Sequence, residues 1–201
     1  MKKLTFGLMG FAALSLAVAT LFTSCKKDDV KEIASISATL DGSSFSATAA
    51  ATTSDADSKK LGELLKDNGG KTTNIYGVNT SGEVLSIVLN GNTKGTYDLS
   101  LSVEGNPTTL LINYLTTGDL EETAKSAISA SANTMIVYKK AGVQSANTGD
   151  FYVSTKASVE ITSITKVGTL EYIKGKFTAT LENANGNKLE ITDGKFSCPG
   201  K

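Results

Sequence analysis

The residue types that could carry covalent or acid–base chemistry are few in this sequence, and the missing ones decide a good deal. Its 201 residues include no His, Arg or Trp. Without an imidazole there is no Ser-His-Asp or Cys-His relay, no HExxH zinc site and no side chain that titrates naturally near neutral pH. Without a guanidinium the forked donor that grips phosphates and carboxylates is absent, and lysine carries all the positive charge. Ser163-Ile164-Thr165-Lys166 matches a Ser-x-x-Lys string. That chemistry needs both side chains on one helical face, whereas here the string falls in or just beyond a strand, where positions three apart face opposite ways. Asp55, Asp57, Asp67 and Asn68, or Asn183, Asn185 and Asn187, are oxygen-rich groups that a calcium ion could use. No Asp-x-Asp-x-Asp-Gly loop closes on a bidentate Glu, and Asn and Asp beside Gly are ordinary turn formers. A carboxylate pair of the glycosidase kind is invisible when it forms across strands, and nothing selects one pair among the 20 acids. No catalytic residue, cofactor or metal site is therefore assigned. With 20 Lys against 20 Asp plus Glu, there is also no electrostatic footprint for nucleic acid.

The N-terminus is more informative. Lys2 and Lys3 precede an uncharged run from Leu4 to Phe22, which ends in Thr23-Ser24-Cys25 and then Lys26-Lys27-Asp28-Asp29. The run is long enough to cross a bilayer, but a basic start, an apolar stretch and small residues also compose a secretory leader. Leu21-Phe22-Thr23-Ser24-Cys25 resembles the bacterial lipobox, with Phe22 where Leu, Val or Ile is usual. The resemblance implies cleavage before Cys25, a diacylglyceryl thioether on its sulfur and acylation of the new amino terminus. Lys27, Asp28 and Asp29 resemble the export signal that sends Bacteroidetes lipoproteins to the outer face of the outer membrane. The alternative is a solvated tether on a periplasm-facing lipoprotein. The partners so implied are the membrane, through the lipid, and the processing and export machinery.

Three segments follow: a lipoprotein signal peptide over 1–24, the lipidated cysteine with a charged tether over 25–32, and one all-β domain over 33–201. Removing residues 1–24 takes Lys2 and Lys3 with it and leaves 18 Lys against 20 acids, a net of −2. With Cys25 acylated, Cys198 has no intrachain partner, so no disulfide is expected. Two places after Phe196, it reads as a small buried apolar residue.

From Ile33 onward, short alternating runs of Thr, Ser, Val and Ile are broken by Gly and Asn, the pattern of an all-β domain. Asp41-Gly42, Ser81-Gly82 and Asn185-Gly186 mark hairpins, and Asn90-Gly91-Asn92 turns one strand towards the next. Asn106-Pro107 leads into an expected strand over 109–114. Phe151–Thr155, Ser158–Ile164 and Tyr172–Leu181 are further strands, with a bulge at Gly175. Asp193-Gly194 shifts the phase so that Phe196 points inward. Leu61, Leu64 and Leu65 have helical spacing, which predicts a short helix over 57–67, with a shorter helical turn over 119–125. About ten antiparallel strands suggest a β-sandwich or a closed or partly open β-barrel.

The turn and core strings Ala38–Ala47, Gly95–Leu99, Ser158–Ser163, Ile173–Phe177 and Asn185–Phe196 resemble a family of small, strand-rich Bacteroidetes lipoproteins of about 200 residues, a domain of unknown function. The resemblance supports the address and the β fold and brings no activity. The expected role is non-catalytic: binding or envelope interaction at the outer membrane. The alternatives are a carboxylate-dependent hydrolase acting on polysaccharide, and a lipocalin-like carrier of a small apolar ligand. Tyr76, Tyr97, Tyr114, Tyr138, Tyr152 and Tyr172 are expected to pack their rings rather than form sugar-stacking platforms.

Overall fold

The computed structural model describes residues 34–50, 56–66, 72–101, 106–143, 149–167 and 169–199. Period-two alternation builds the first hairpin. In β1 (Ser35–Leu40) the buried residues are Ile36, Ala38 and Leu40; in β2 (Ser43–Ala50) they are Phe45, Ala47 and Ala49, with serines and threonines between them on the other face. The turn is Asp41-Gly42, both with positive φ, 46° and 83°. Two such residues form the mirror-image turn whose twist matches that of the strands, so the register Leu40↔Ser43 follows from the dipeptide.

The same logic continues through β3 (Thr72–Val78), β4 (Val84–Asn90), β6 (Thr134–Lys139), β7 (Phe151–Val167), β8 (Leu170–Asn183) and β9 (Lys188–Pro199). β9 pairs back onto β1, and every pairing is antiparallel, so eight strands close into a barrel. Of the two expected architectures, the barrel is the one that forms. β5 (Gly95–Ser100) follows β4 in the chain but does not pair with it. It lies along Lys156–Ile161 of β7, on the same edge that β6 occupies at Phe151–Val153. β7 is long enough to carry two partners end to end. The described strands number nine rather than about ten.

Among the described residues three helices accompany the barrel, where one short helix and a shorter helical turn were expected. α1 (Ala56–Lys66) lies within a residue of its expected bounds. α2 (Pro107–Thr117) replaces the strand expected over 109–114. The Asn106 carboxamide oxygen accepts the N–H groups of Thr108 and Thr109, and Pro107 stands in the first turn, where its missing N–H costs nothing. Once capped, Leu-Leu-Ile-Asn-Tyr-Leu places Leu111, Ile112 and Leu115 on one buried stripe. Asn106→Ala is expected to lower stability by about 1 kcal/mol, measured by urea unfolding. α3 (Glu122–Ser131) extends beyond the short turn expected over 119–125; its small residues carry little apolar periodicity to announce it.

The helices explain why β4 and β6 are buried on both faces. Leu85, Ile87 and Leu89 fill the barrel, while Val88 on the outer face lies against α1 at Gly62. α1 and α2 are stitched together where Lys60 Nζ donates to the Leu115 carbonyl, and α3 joins them through Ser129 Oγ, which donates to the Leu64 carbonyl over 2.8 Å. Leu61, Leu64 and Leu65 are fully buried, each contributing about 1.5–3 kcal/mol.

Inside the barrel, Phe45, Tyr138 and Tyr152 cluster near the hairpin end, and Phe177 and Phe196 stand 6.4 Å apart farther along. β8 and β9 interlock there, with Gly175 opposite Phe196 and Phe177 opposite Gly194. The bulge expected at Gly175 falls instead on the neighbouring strand: Ile161 pairs with Gly175 and Ser163 with Lys174, leaving Thr162 as the extra residue. Gly175 is there to let the Phe196 ring approach. The phase shift at Asp193-Gly194 is present, Asp193 has φ 52°, and Phe196 is buried.

Candidate functional site

The outward-facing positions of β5, β7, β8 and β9 form a polar wall whose rows follow from the registers. One row runs Thr96, Glu160, Lys176, Lys195. The next holds Asp98, Ser158 and Thr178 and meets the β9 bulge at Thr192 and Asp193. The third runs Ser100, Lys156, Thr180, Glu190. Charges of both signs thus flank a central band of hydroxyls. Lys176 Nζ is 2.9 Å from the Glu160 carboxylate, and Thr180 donates to Glu190 over 3.0 Å. The hydroxyls of Thr96, Ser100, Ser158, Thr178 and Thr192 have no partner among the described residues and face solvent.

Two depressions of about 380 and 450 Å³ indent this wall and share Ser158 and Thr178, so they read as one groove across four strands. Three strand spacings make its width roughly 14 Å. Four acids border it. Asp98, Glu190 and Asp193 are exposed, and Glu160 is held by Lys176. No known protein family, curated protein or solved structure matches this chain.

Other expected residues serve the fold. None of the six tyrosines is exposed. The Tyr97 hydroxyl donates to the Thr93 carbonyl over 2.9 Å, and that of Tyr138 to Glu83 over 2.6 Å. Burial first, and then the Glu83 contact, push the Tyr138 phenol well above its ordinary range. Asn183 is 1% exposed and ties the β8–β9 turn, accepting from the Asn185 and Asn187 backbones and donating to the Gly149 carbonyl. Ser163 and Lys166 lie within β7, and Lys166 reaches Glu171 across the hairpin. Among the described residues no three His, Cys, Asp or Glu are grouped to share a metal ion. Cys25, Lys27, Asp28 and Asp29 lie outside the described residues, as do Asp55, Asp67 and Asn68.

Cys198 is fully buried, as expected, with its sulfur 3.8 Å from the Ile173 carbonyl. Burial pushes its thiol up from 9.0 to about 12. The sign follows: the native state holds this proton more tightly, so the site's contribution to stability is complete below pH 9 and is lost as pH rises towards 12. Native protein is expected to resist iodoacetamide at Cys198 at neutral pH and to react once unfolded by urea, as read by mass spectrometry. Fast labelling of the native chain would contradict the buried placement.

Proposed function

We propose that this chain is a non-catalytic lipoprotein of the outer membrane, held through acylated Cys25 and displayed on the cell exterior, whose barrel binds an extended polar polymer such as a polysaccharide along the β5–β7–β8–β9 wall. The observation that carries the binding role is the groove itself. It offers unengaged hydroxyls between two charged rows, one of them tied by the Lys176–Glu160 ion pair, and spans four strands, which suits an elongated hydroxyl-rich partner held by hydrogen bonds. Lys27, Asp28 and Asp29 support the exterior address, and the turn and core strings resembling the small Bacteroidetes lipoproteins support the class.

The two alternatives fare less well on physical grounds. A hydrolase needs two carboxyls free to work on one bond, and of the wall acids Glu160 is already engaged by Lys176 and Glu190 by Thr180. A carrier needs internal room, whereas a methyl group at Gly77 would stand 2.3 Å from Ile36 and one at Gly175 the same distance from Phe196. An eight-stranded interior is either filled by side chains or holds one small ligand, and here Phe45, Tyr138, Tyr152, Phe177 and Phe196 stand inside it.

The test is retention of the chain on a glycan panel, comparing wild type with Thr178→Arg, a substitution on the exposed outer face that leaves the core alone. Wild type should bind at least one polysaccharide, and the variant about tenfold more weakly, a difference of about 1.4 kcal/mol. No retention of the wild type, or equal retention of the variant, removes the wall from the account. Release of new reducing ends from a bound glycan would move the reading to the hydrolase.

A further inference from the structure

The groove in the β5–β7–β8–β9 wall distributes its charged groups evenly between its two depressions. One is lined by Asp193 and Lys195 beside the Glu160–Lys176 ion pair. The other is lined by Asp98 and Lys156 beside Glu190, which Thr180 engages. Ser158 and Thr178 belong to both. Among the described residues the side chains of Asp98, Asp193, Lys156 and Lys195 have no ion-pair or hydrogen-bond partner, and all four are exposed. Each depression therefore holds one engaged acid, one free carboxylate and one free ammonium.

The bulge in β9 completes this arrangement. Phe177 pairs with Gly194 and Ala179 with Ile191, so Thr192 and Asp193 stand together opposite Thr178. In an unbroken strand successive side chains point to opposite faces, and one of the two would turn into the core. Here both are exposed, Thr192 lining one depression and Asp193 the other. Bulges re-aim side chains in this way, and the left-handed backbone at Asp193, φ 52°, is how this one does so.

We propose that the groove selects an uncharged polysaccharide, one sugar unit in each depression, and that Asp98 and Asp193 are the residues that determine this specificity. The inference rests on the polymer-binding reading of the wall and names the class of polymer. A free carboxylate only accepts hydrogen bonds and a free ammonium only donates them, whereas a sugar hydroxyl does both. A unit bearing hydroxyls alone therefore satisfies both groups of a depression. A uronate would meet the lysine but stand against the carboxylate, and an amino sugar would reverse the conflict. Over the whole lining three lysines face four acids, so the balance disfavours an anionic chain further. Hydrogen bonds to an ionised acceptor are about twice as strong as those between neutral groups, which gives the two carboxylates more weight than the hydroxyl band. Their backbones lie three strand spacings apart, roughly 14 Å, so each serves its own unit.

The test is calorimetric titration of the native product, purified in detergent, with uncharged glucans, mannans and galactans, with polygalacturonate and with chitosan oligosaccharides. At least one uncharged polymer should bind at least about tenfold more tightly than either charged one. Raising salt from about 0.05 to about 0.5 M should change that affinity less than about twofold, because no ion pair to the ligand is being screened. Asp98→Asn and Asp193→Asn remove a charge and keep the side-chain shape, and asparagine tolerates the left-handed backbone at 193 as aspartate does. Each should weaken binding about five- to tenfold with the circular dichroism unchanged. Tighter binding of polygalacturonate or of chitosan oligosaccharides, or undiminished binding by both asparagine variants, would overturn this inference; a weakened Thr178→Arg in the same titrations would still leave the wall as the binding face. Absence of binding to every polymer would remove the wall reading and this inference with it.

Discussion

Gly175→Ala should destabilise the barrel by about 3 kcal/mol, although glycine within a strand normally costs about 0.5–1 kcal/mol relative to alanine. The sign reverses because the position is already occupied. A methyl group there would stand 2.3 Å from the Glu160 carbonyl oxygen on β7 and 2.3 and 2.7 Å from carbons of the Phe196 ring. The ring can turn aside by repacking, but the carbonyl belongs to the strand paired with Gly175 and moves only if that pairing opens. Gly194→Ala repeats the situation from the other side, meeting the Phe177 carbonyl at 2.5 Å and its ring at 2.7 Å. Gly62→Ala provides the control. It lies in α1 with its nearest neighbour, Val88, at an ordinary 3.7 Å, and should stabilise by up to about 1 kcal/mol. Urea midpoints of the three variants check the set, and an unshifted midpoint for Gly175→Ala would mean that the two phenylalanines do not lie across the two glycines.

How much of this was readable beforehand depends on the range of the interaction. Asp41-Gly42, Asn185-Gly186 and the shift at Asp193-Gly194 were legible because a positive φ or a hairpin is a property of two or three adjacent residues. Cys198 was legible because its burial follows from the phase of Phe196. α2 was not, because Asn106-Pro107 can open a turn into a strand or cap a helix, and Leu-Leu-Ile-Asn-Tyr-Leu has no period that separates the two. The choice depends on whether a buried stripe finds α1 and the barrel to lie on. β5 misled in a different way, since a strand following a short turn is expected to pair with its predecessor, and β5 pairs instead with the distant residues 156–161. The closure of β9 onto β1 has no local signature at all. The wall is the extreme case: its rows combine residues from 96 to 195, and each residue alone reads as an ordinary solvated strand position. One local signal does mark the β8–β9 contact: Gly-Lys-Phe occurs at both 175–177 and 194–196, and the two copies are the interlocking pairs of β8 and β9.

Cys25→Ala should abolish incorporation of labelled palmitate, the largest functional effect proposed for any single substitution. The size follows from what else could hold the protein. Among the described residues no helix is long and apolar enough to cross a bilayer, and the large apolar side chain left exposed is Val78. The outward side of the wall is hydroxyls and charged side chains, which gain nothing from hydrocarbon. Acyl chains gain about 0.8 kcal/mol per buried methylene; one chain binds reversibly, and two or more hold stably. On this reading almost all the membrane affinity of the processed chain passes through one sulfur, whereas a Cys25→Ala chain that kept its leader would be held instead by the apolar run Leu4–Phe22. Asp28→Ala with Asp29→Ala should leave palmitate labelling intact and reduce access of protease to the chain on whole cells, which separates anchoring from display. An unmodified Cys25 thiol, or a retained leader, in the mass spectrum of the native product would remove the anchor, and with it the reason for placing the groove at the cell surface.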